Sequence, residues 1–273
     1  MLVVYAIVGL ALGSFLNVMM DRLPARKSLL QPPSHCPGCE RRLSALEMAP
    51  VLSYIALRGR CRTCGARIPL RVPLVELASG LLFALLWWTY GPSLRLALMT
   101  LYTCILLVVL VIDLEHKLVL NVVVLPATVL ALAAIPLQRF MAPPSYSQVT
   151  FLWLLTRHGR LAGLSPWQVG MVSQLLGGAI AFGIFFLIWF IAPAGMGAGD
   201  VKLSAFAGLI TAFPGALVAV LGSFILGGLV SLVLLLSGKV GRKTAIPFAP
   251  FLVSTTFLML VYGDQFLFWY LRS

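Results

Sequence analysis

The chain has 273 residues, of which 60% are hydrophobic and only 10% charged, and its mean hydropathy is +1.01. A soluble domain carries about 25% charged residues, so the composition excludes a soluble globular protein, a disordered chain, a collagen and a disulfide-rich scaffold. At roughly 20 apolar residues per crossing, the length leaves room for about eight membrane spans and one small extramembrane segment. The sequence therefore predicts an all-α polytopic membrane protein.

Apolar runs mark the predicted spans. The first run, residues 2–20, has no basic segment before it and no cleavage site, so we expect a retained helix and not a signal peptide. The run at 201–213 is short, and Pro214 separates it from the next, which makes this break the weakest point of the topology. The eight predicted spans are 2–20, 74–90, 94–113, 118–137, 171–192, 201–213, 215–237 and 246–262.

Basic residues predict the orientation. The net charge is +12, from 20 basic and 8 acidic residues. In a soluble protein this excess would suggest nucleic-acid binding, but in a membrane protein it indicates cytoplasmic loops. Residues 21–73 hold ten basic and three acidic residues, so we expect a cytoplasmic loop there, and eight spans then place 15 basic residues inside and 5 outside. The predicted division is a first span (1–20), a cytoplasmic zinc-binding domain (21–73) and a membrane domain (74–273), with 138–170 as the largest external loop.

Two cysteine pairs lie in the cytoplasmic loop. Cys36 and Cys39 form the first, and Cys61 and Cys64 form the second after 21 intervening residues. Two thiolates separated by two residues can share one tetrahedral ion, and two such pairs are typical of a four-cysteine zinc site. A short loop with little core of its own gains from a structural metal. Two disulfides or four free thiols are the alternatives, and a reducing cytoplasm disfavours the disulfides.

Two acidic residues lie at the ends of predicted spans. Asp113 closes the third span, whereas Asp200 follows Gly197 and Gly199 and opens the sixth, with Lys202 behind it. On the predicted topology both acids lie at cytoplasmic ends, at similar depth. Two carboxylates that share one proton can activate a water and protonate a leaving amine. The glycines permit close backbone approach before a helix, and a helix N-terminus favours the ionised form of Asp200.

Both acids also have a structural interpretation. Asp113 could be an interfacial anchor paired with Lys117 four residues on, and Asp200 could cap free amides at the start of its helix. Acidic residues inside spans are rare and are usually functional. Two of them at matched depth therefore favour a functional site.

Taken together, these motifs resemble those of the bacterial prepilin peptidases, the type IV leader peptidases among the Gly-x-Gly-Asp aspartic proteases. By this resemblance, Asp113 and Asp200 are the two catalytic aspartates, and Gly197, Gly199 and Lys202 belong to the second catalytic motif. The resemblance does not cover the predicted external loop 138–170. The matching stretches are residues 13–18, 35–39, 57–64, 73–77, 197–202 and 247–251.

The resemblance implies a two-step enzyme of the bacterial inner membrane. It would cut the leader from prepilins or pseudopilins at the cytoplasmic face, and then methylate the new N-terminal amine with S-adenosylmethionine, beside a structural Zn²⁺. Membrane lipid and the pilin substrates are the implied partners, and no nucleic acid is expected. The sequence shows no methyltransferase motif, so the residues that bind this cofactor are unknown. Glu47 and Glu76 are candidates, and solvated or Arg-paired side chains are the alternative.

The chain departs from the family pattern in two places. Val119-Leu120-Asn121 stands where Leu-Pro-Asp is expected, and Ala249 stands where Gly is expected. Neither change touches the aspartates or the cysteines, so we expect altered specificity and not lost activity. A proton-coupled transporter that uses the two acids is the alternative function. Such a transporter should have interrupted helices at matching positions in two halves of the chain, and the sequence shows no such symmetry. A scaffold protein that resembles the peptidases but has no protease activity is a third possible function.

Overall fold

The computed structural model of the chain describes residues 1–140, 165–193, 195–238, 241 and 246–272. These residues form helices, with two isolated β-bridges and no β-strand among them. The predicted external loop 138–170 and the predicted cytoplasmic segment 238–245 lie for the most part outside the described residues. The α-helices are α1 (Leu2–Arg22), α2 (Leu52–Ala56), α3 (Arg71–Tyr90), α4 (Leu94–His116), α5 (Asn121–Ala134), α6 (Pro166–Ile191), α7 (Ala198–Thr211), α8 (Gly215–Leu236) and α9 (Ala249–Arg272), with 3₁₀ turns at Leu46–Met48 and Ile135–Phe140.

The structure confirms the all-helical membrane protein but not the count of eight spans. Six described helices are long and apolar enough to cross a bilayer, namely α1, α3, α4, α8 and most of α6 and α9. The predicted span 118–137 is a shorter apolar helix over Asn121–Leu137. The predicted span 201–213 corresponds to α7, whose 14 residues extend about 21 Å, less than the hydrocarbon thickness of about 30 Å.

The first compact unit covers Met1–Val108, and within it α1 packs along α3. Small residues let the two backbones approach closely. A Cβ added at Gly9 would lie 2.8 Å from the Phe83 ring, and one added at Gly80 would lie 2.8 Å from Leu10. The loop with the four cysteines connects these two helices, so their pairing fixes both ends of that loop.

The second compact unit covers Val109–Ser273, and α7 is its centre. Helices α5, α6, α8 and α9 all contact α7, and most of its residues are buried. Helix α7 ends at Thr211, and Ala212, the next residue, turns the chain with a φ of 56°. Pro214 follows and has no N–H with which to continue a helix. This break separates α7 from α8 and keeps α7 short.

Two glycines set the crossing of α6 and α7. A Cβ added at Gly208 of α7 would lie 2.7 Å from the Cβ of Ala181 and 2.8 Å from the carbonyl carbon of Gly177, both in α6. Real Cβ atoms do not approach other atoms this closely, so a side chain at Gly208 must push the helices apart. The position of α7, and of every group on it, depends on this contact.

We expect Gly208→Leu to destabilise the protein by roughly 3 kcal/mol, the cost of overpacking a tight core, and to lower its thermal unfolding midpoint in detergent. Gly183→Leu in α6 is the matched control, because nothing lies within 4 Å of a Cβ added there. Equal unfolding midpoints for the two variants would contradict the close crossing of α6 and α7.

Candidate active site

Asp113 lies in the last turn of α4 and is 4% exposed. The backbone N–H of Ala249, the first residue of α9, donates a hydrogen bond to its carboxylate. Its Oδ2 is buried and has no hydrogen-bond partner. A carboxylate that only anchored a helix end at the membrane surface would be exposed, so this geometry does not fit the anchor interpretation.

Asp200 is the third residue of α7 and is half-buried. Its carboxylate accepts a hydrogen bond from the N–H of Gly197, the residue that caps α7. This contact is the return half of a capping box, in which an acid in the first turn binds the N–H at the cap. Asp200 therefore has the structural role that the sequence left open. One N–H leaves much of its acceptor capacity free.

The two aspartates lie near enough for the charge of one to act on the other. They come from different helices, since Asp113 ends α4 and Asp200 starts α7. The structure thus brings together the two acids that the sequence selected. It adds the Ala249 N–H, which sequence reasoning missed, although the motif at residues 247–251 pointed to that segment.

Gly199 allows the close approach that positions Asp200. A Cβ added at Gly199 would lie 2.7 Å from the Cβ of Val119, in the segment between α4 and α5. A Cβ added at Gly197 would make only an ordinary contact, 3.5 Å from Asp200 Oδ2. The prediction of close backbone approach is therefore right for Gly199 and wrong for Gly197.

A second contact joins the same two segments. The Lys202 ammonium group donates a hydrogen bond to Asn121 Oδ1 at 2.9 Å. Asn121 begins α5 and occupies one of the positions where the chain departs from the family pattern. An amide there retains the acceptor that Lys202 needs without adding a negative charge. Together with the contact between Val119 and Gly199, this bond fixes the start of α7 against the segment that follows Asp113.

The four cysteine sulfur atoms of the loop form a second, separate site. All four Sγ atoms lie within 4.8 Å of one another, and those of Cys36 and Cys64 are 3.7 Å apart. A tetrahedral ion with metal–sulfur bonds of about 2.3 Å places its sulfur ligands about 3.8 Å apart. The cysteines are free, not disulfide-bonded, and their spacing fits one metal ion.

The two cysteine pairs have the same local fold. In the first, the N–H of Cys36 donates to the carbonyl of Arg41 at 3.0 Å, and in the second the N–H of Cys61 donates to the carbonyl of Ala66 at 2.8 Å. Isolated antiparallel bridges close each hairpin, His35 with Arg42 and Arg60 with Arg67. The site is therefore built from two similar hairpins 25 residues apart in sequence.

The two cysteines of the second pair differ in how readily their thiols ionise. The N–H groups of Cys64 and Thr63 donate to the Cys61 sulfur and lower the pKa of Cys61 to about 6. The N–H of Ala66 lowers the pKa of Cys64, but burial and the neighbouring thiols outweigh it and raise this pKa to about 11. Four sulfur atoms at this separation do not all become thiolates unless a positive charge neutralises them.

Glu47 supports the first hairpin. Its Oε1 accepts a hydrogen bond from Arg41 at 2.6 Å, and its Oε2 accepts the N–H and the hydroxyl of Ser44, each at 2.9 Å. The Arg41 contact, followed by the two from Ser44, lowers the pKa of Glu47 to about 2. Both carboxylate oxygens are engaged, which matches the Arg-paired alternative.

Glu76 lies inside α3 and is 5% exposed. Its Oε2 accepts a hydrogen bond from the N–H of Val51 at 2.8 Å. Val51 has a φ of 60°, which is rare for a β-branched residue, so the contact with Glu76 holds a strained turn of the loop against the helix. The role of Glu47 and Glu76 in cofactor binding stays a prediction.

Two family models match most of the chain. The model described as the Bacterial Peptidase A24 N-terminal domain covers residues 7–90, which include the cysteine loop. The model described as the Type IV leader peptidase family covers residues 99–232, which include Asp113 and Asp200.

Similar proteins match over nearly the whole length. Three of them, from Bacillus subtilis, Stutzerimonas stutzeri and Pseudomonas aeruginosa, are each named prepilin leader peptidase/N-methyltransferase. The first is 30% identical over 100% of this chain and 98% of that protein. The second is 33% identical over 95% of this chain and 90% of that protein, and the third is 31% identical over 95% and 89%. No solved structure matches the chain.

We expect Gly199→Ala to displace the start of α7, because the added methyl group would lie 2.7 Å from the Val119 Cβ. The expected cost is about 1–3 kcal/mol of stability, measured by thermal unfolding in detergent. Gly197→Ala is the matched control, since its methyl group has room. A Gly199→Ala variant as stable as Gly197→Ala would show that Gly199 does not set this contact.

Proposed function

The chain belongs to the type IV leader peptidase family, and we infer that it is a membrane-embedded prepilin peptidase that uses Asp113 and Asp200 as one catalytic unit. The observation that carries this proposal is the proximity of two acidic side chains from α4 and α7, near enough for the charge of one to act on the other, with one of them 4% exposed. Burying an acidic group costs free energy, and acidic residues that a membrane protein nevertheless keeps in its spans are usually functional. The family membership supplies the substrate class, a prepilin or pseudopilin leader. Neither the family models nor the similar proteins support a transporter.

In the proposed mechanism, the two carboxylates share one proton, because two negative charges this close in a poorly hydrated site repel strongly. Asp200 is assigned as the ionised partner, because it lies in the first turn of α7, where a helix N-terminus favours an anion, whereas Asp113 lies in the last turn of α4, where the helix dipole disfavours one. It takes a proton from a water whose oxygen attacks the scissile carbonyl carbon. Asp113 supplies the acidic proton, which reaches the leaving amine as the C–N bond breaks. The roles exchange as the tetrahedral intermediate collapses.

We infer a second step from the name that the relatives carry. It would transfer a methyl group from S-adenosylmethionine to the new N-terminal amine. Glu47 and Glu76 remain the candidate contacts in the cysteine-loop unit. Glu76 has the greater capacity to accept hydrogen bonds from a cofactor, because among the described residues Val51 alone donates to it, at Oε2, whereas Arg41 and Ser44 engage both oxygens of Glu47.

The metal proposed for the four cysteines is zinc, in a structural role. An all-thiolate tetrahedral set with no open position is typical of structural zinc. The ion would join the two hairpins, which pack closely where Gly38 faces Ala66: a Cβ added at Gly38 would lie 3.0 Å from the Ala66 Cβ.

The protein is a multi-pass membrane protein, and we propose that the cysteine loop and the aspartates face the cytoplasm of the bacterial inner membrane. The excess of basic residues in 21–73 supports this orientation. A cytoplasmic loop also keeps the four thiols reduced and able to bind metal.

We expect Asp113→Asn and Asp200→Asn each to remove leader cleavage almost completely while the protein still inserts, because amides can neither take up nor release the proton. Purified protein in detergent with a prepilin substrate, scored separately for cleavage and N-methylation, provides the measurement. For the unsubstituted protein, the rate should fall on the acid side as the base is protonated and on the alkaline side as the shared proton is lost. Asp264→Asn in α9, outside the pair, is the control. Full cleavage by either Asn variant at the pair would exclude the proposed catalytic unit.

Elemental analysis of protein purified without chelator should find about one zinc per chain, as one tetrathiolate site implies. Cys61→Ser should lose the ion and make residues 21–73 sensitive to protease while the spans stay folded, because only the loop depends on the metal. Cys104→Ser, in α4 and outside the cluster, should keep it. Metal-free wild-type protein, or a Cys36–Cys39 disulfide in the cell, would rule out the site.

Cysteine-accessibility labelling in intact cells should place Ser147 outside and Ser237 inside, as the 15-to-5 division of basic residues indicates. Each position is replaced by Cys in turn. Labelling of both positions from the same side would overturn the orientation.

A further inference from the structure

Three apolar side chains of the cysteine loop are strongly exposed. Leu46 is 83% exposed, Leu52 is 71% exposed and Ile55 is 66% exposed. Leu46 begins the 3₁₀ turn that contacts α2, and Leu52 and Ile55 lie on α2 itself. Exposed apolar clusters outside a membrane span mark a binding surface for another apolar phase or protein.

A hydrogen bond fixes the depth of this segment. The N–H of Val51, the residue before α2, donates to Glu76 Oε2 at 2.8 Å. Glu76 lies five residues after Arg71 in α3, or about 7.5 Å along the helix axis. The 20 residues of α3 extend about 30 Å, the thickness of the hydrocarbon core. If α3 spans the bilayer, α2 is level with the first turns of α3, where headgroups meet acyl chains.

Basic residues adjoin the apolar ones. Arg58 lies two residues after the end of α2, and its N–H donates to the carbonyl of Ile55 at 3.1 Å. Arg60 and Arg67 lie opposite each other in the bridge that closes the second hairpin. All three side chains are exposed. Only three residues separate Arg67 from Arg71, so Arg67 lies within roughly 14 Å of the start of α3.

We propose that residues 46–60, with Arg67, form an interfacial lipid-binding surface. Leu46, Leu52 and Ile55 enter the boundary between headgroups and acyl chains. Arg58, Arg60 and Arg67 bind the phosphates of anionic lipid headgroups. A short amphipathic segment with apolar and basic residues side by side is suited to this position, because arginine can keep its charge at the headgroups while its stem lies along apolar surface.

This surface would hold the metal-binding hairpins against the membrane. Glu76 then ties the loop to α3 from inside the protein, and the lipid holds its other side. The proposal depends on α3 as a membrane span and not on the catalytic assignment of Asp113 and Asp200. Its failure would leave the proposed peptidase function untouched.

The test is photo-crosslinking of the full-length, metal-loaded protein in nanodiscs of phosphatidylcholine and phosphatidylglycerol. p-Benzoylphenylalanine replaces Leu52 or Ile55 in turn, and Thr63, exposed in the second hairpin, serves as the control position. We expect lipid adducts from positions 52 and 55 and few from position 63. Phosphatidylglycerol should be enriched about fivefold in the adducts over its share of the bilayer, the factor set by the attraction of one basic residue.

The combined substitution Arg58→Gln, Arg60→Gln and Arg67→Gln should remove the enrichment of anionic lipid but keep the lipid adducts. A variant that still binds its metal ion has a folded cysteine loop. Lipid adducts from both position 52 and position 55 show that the result does not come from a distortion that one probe causes locally. Adducts to protein in place of lipid, which would identify a second copy or another chain as the occupant, would overturn the proposal. So would the same anionic enrichment in the Gln variant.

Discussion

The close approach of the start of α7 to the segment after Asp113 is the contact on which the candidate active site depends. Gly199 lies against Val119 with no room for a Cβ, and Lys202 donates to Asn121 at 2.9 Å. Because Asp200 lies between these two contacts in sequence, they set its depth relative to α4. The glycine crossing of α6 and α7 supports them from the other side.

The two compact units are stabilised in different ways. In the first, a short loop rich in arginine has little apolar core, and its order rests on four thiols, the Arg41–Glu47 ion pair at 2.6 Å and the anchor at Glu76. In the second, packed helices place a carboxylate where solvation is poor, and a backbone N–H from Ala249 binds it. The proposed metal stabilises the first unit, whereas helix packing stabilises the second.

Much of the site could be predicted from the sequence, because local patterns encode it. Paired cysteines with a fixed spacing predicted the sulfur cluster, and rare acids at the ends of apolar runs selected Asp113 and Asp200. The Ala249 N–H, which any residue but proline supplies, and the Lys202–Asn121 bond, which spans 81 residues, depend on tertiary structure and leave no local signal. Hydropathy predicted eight spans, of which six are confirmed among the described residues as helices long enough to cross a bilayer, since α7 is apolar for packing among helices yet is only 14 residues long.

The central claim is that Asp113 and Asp200 act as one unit, and single-turnover cleavage by the double variant tests it most directly. Losses from residues that act as a unit are strongly non-additive. The proposed mechanism predicts that Asp113→Asn with Asp200→Asn cleaves a prepilin substrate no more slowly than the slower single variant. Losses that multiply in the double variant would show that the two carboxylates contribute independently, and would contradict the shared-proton mechanism.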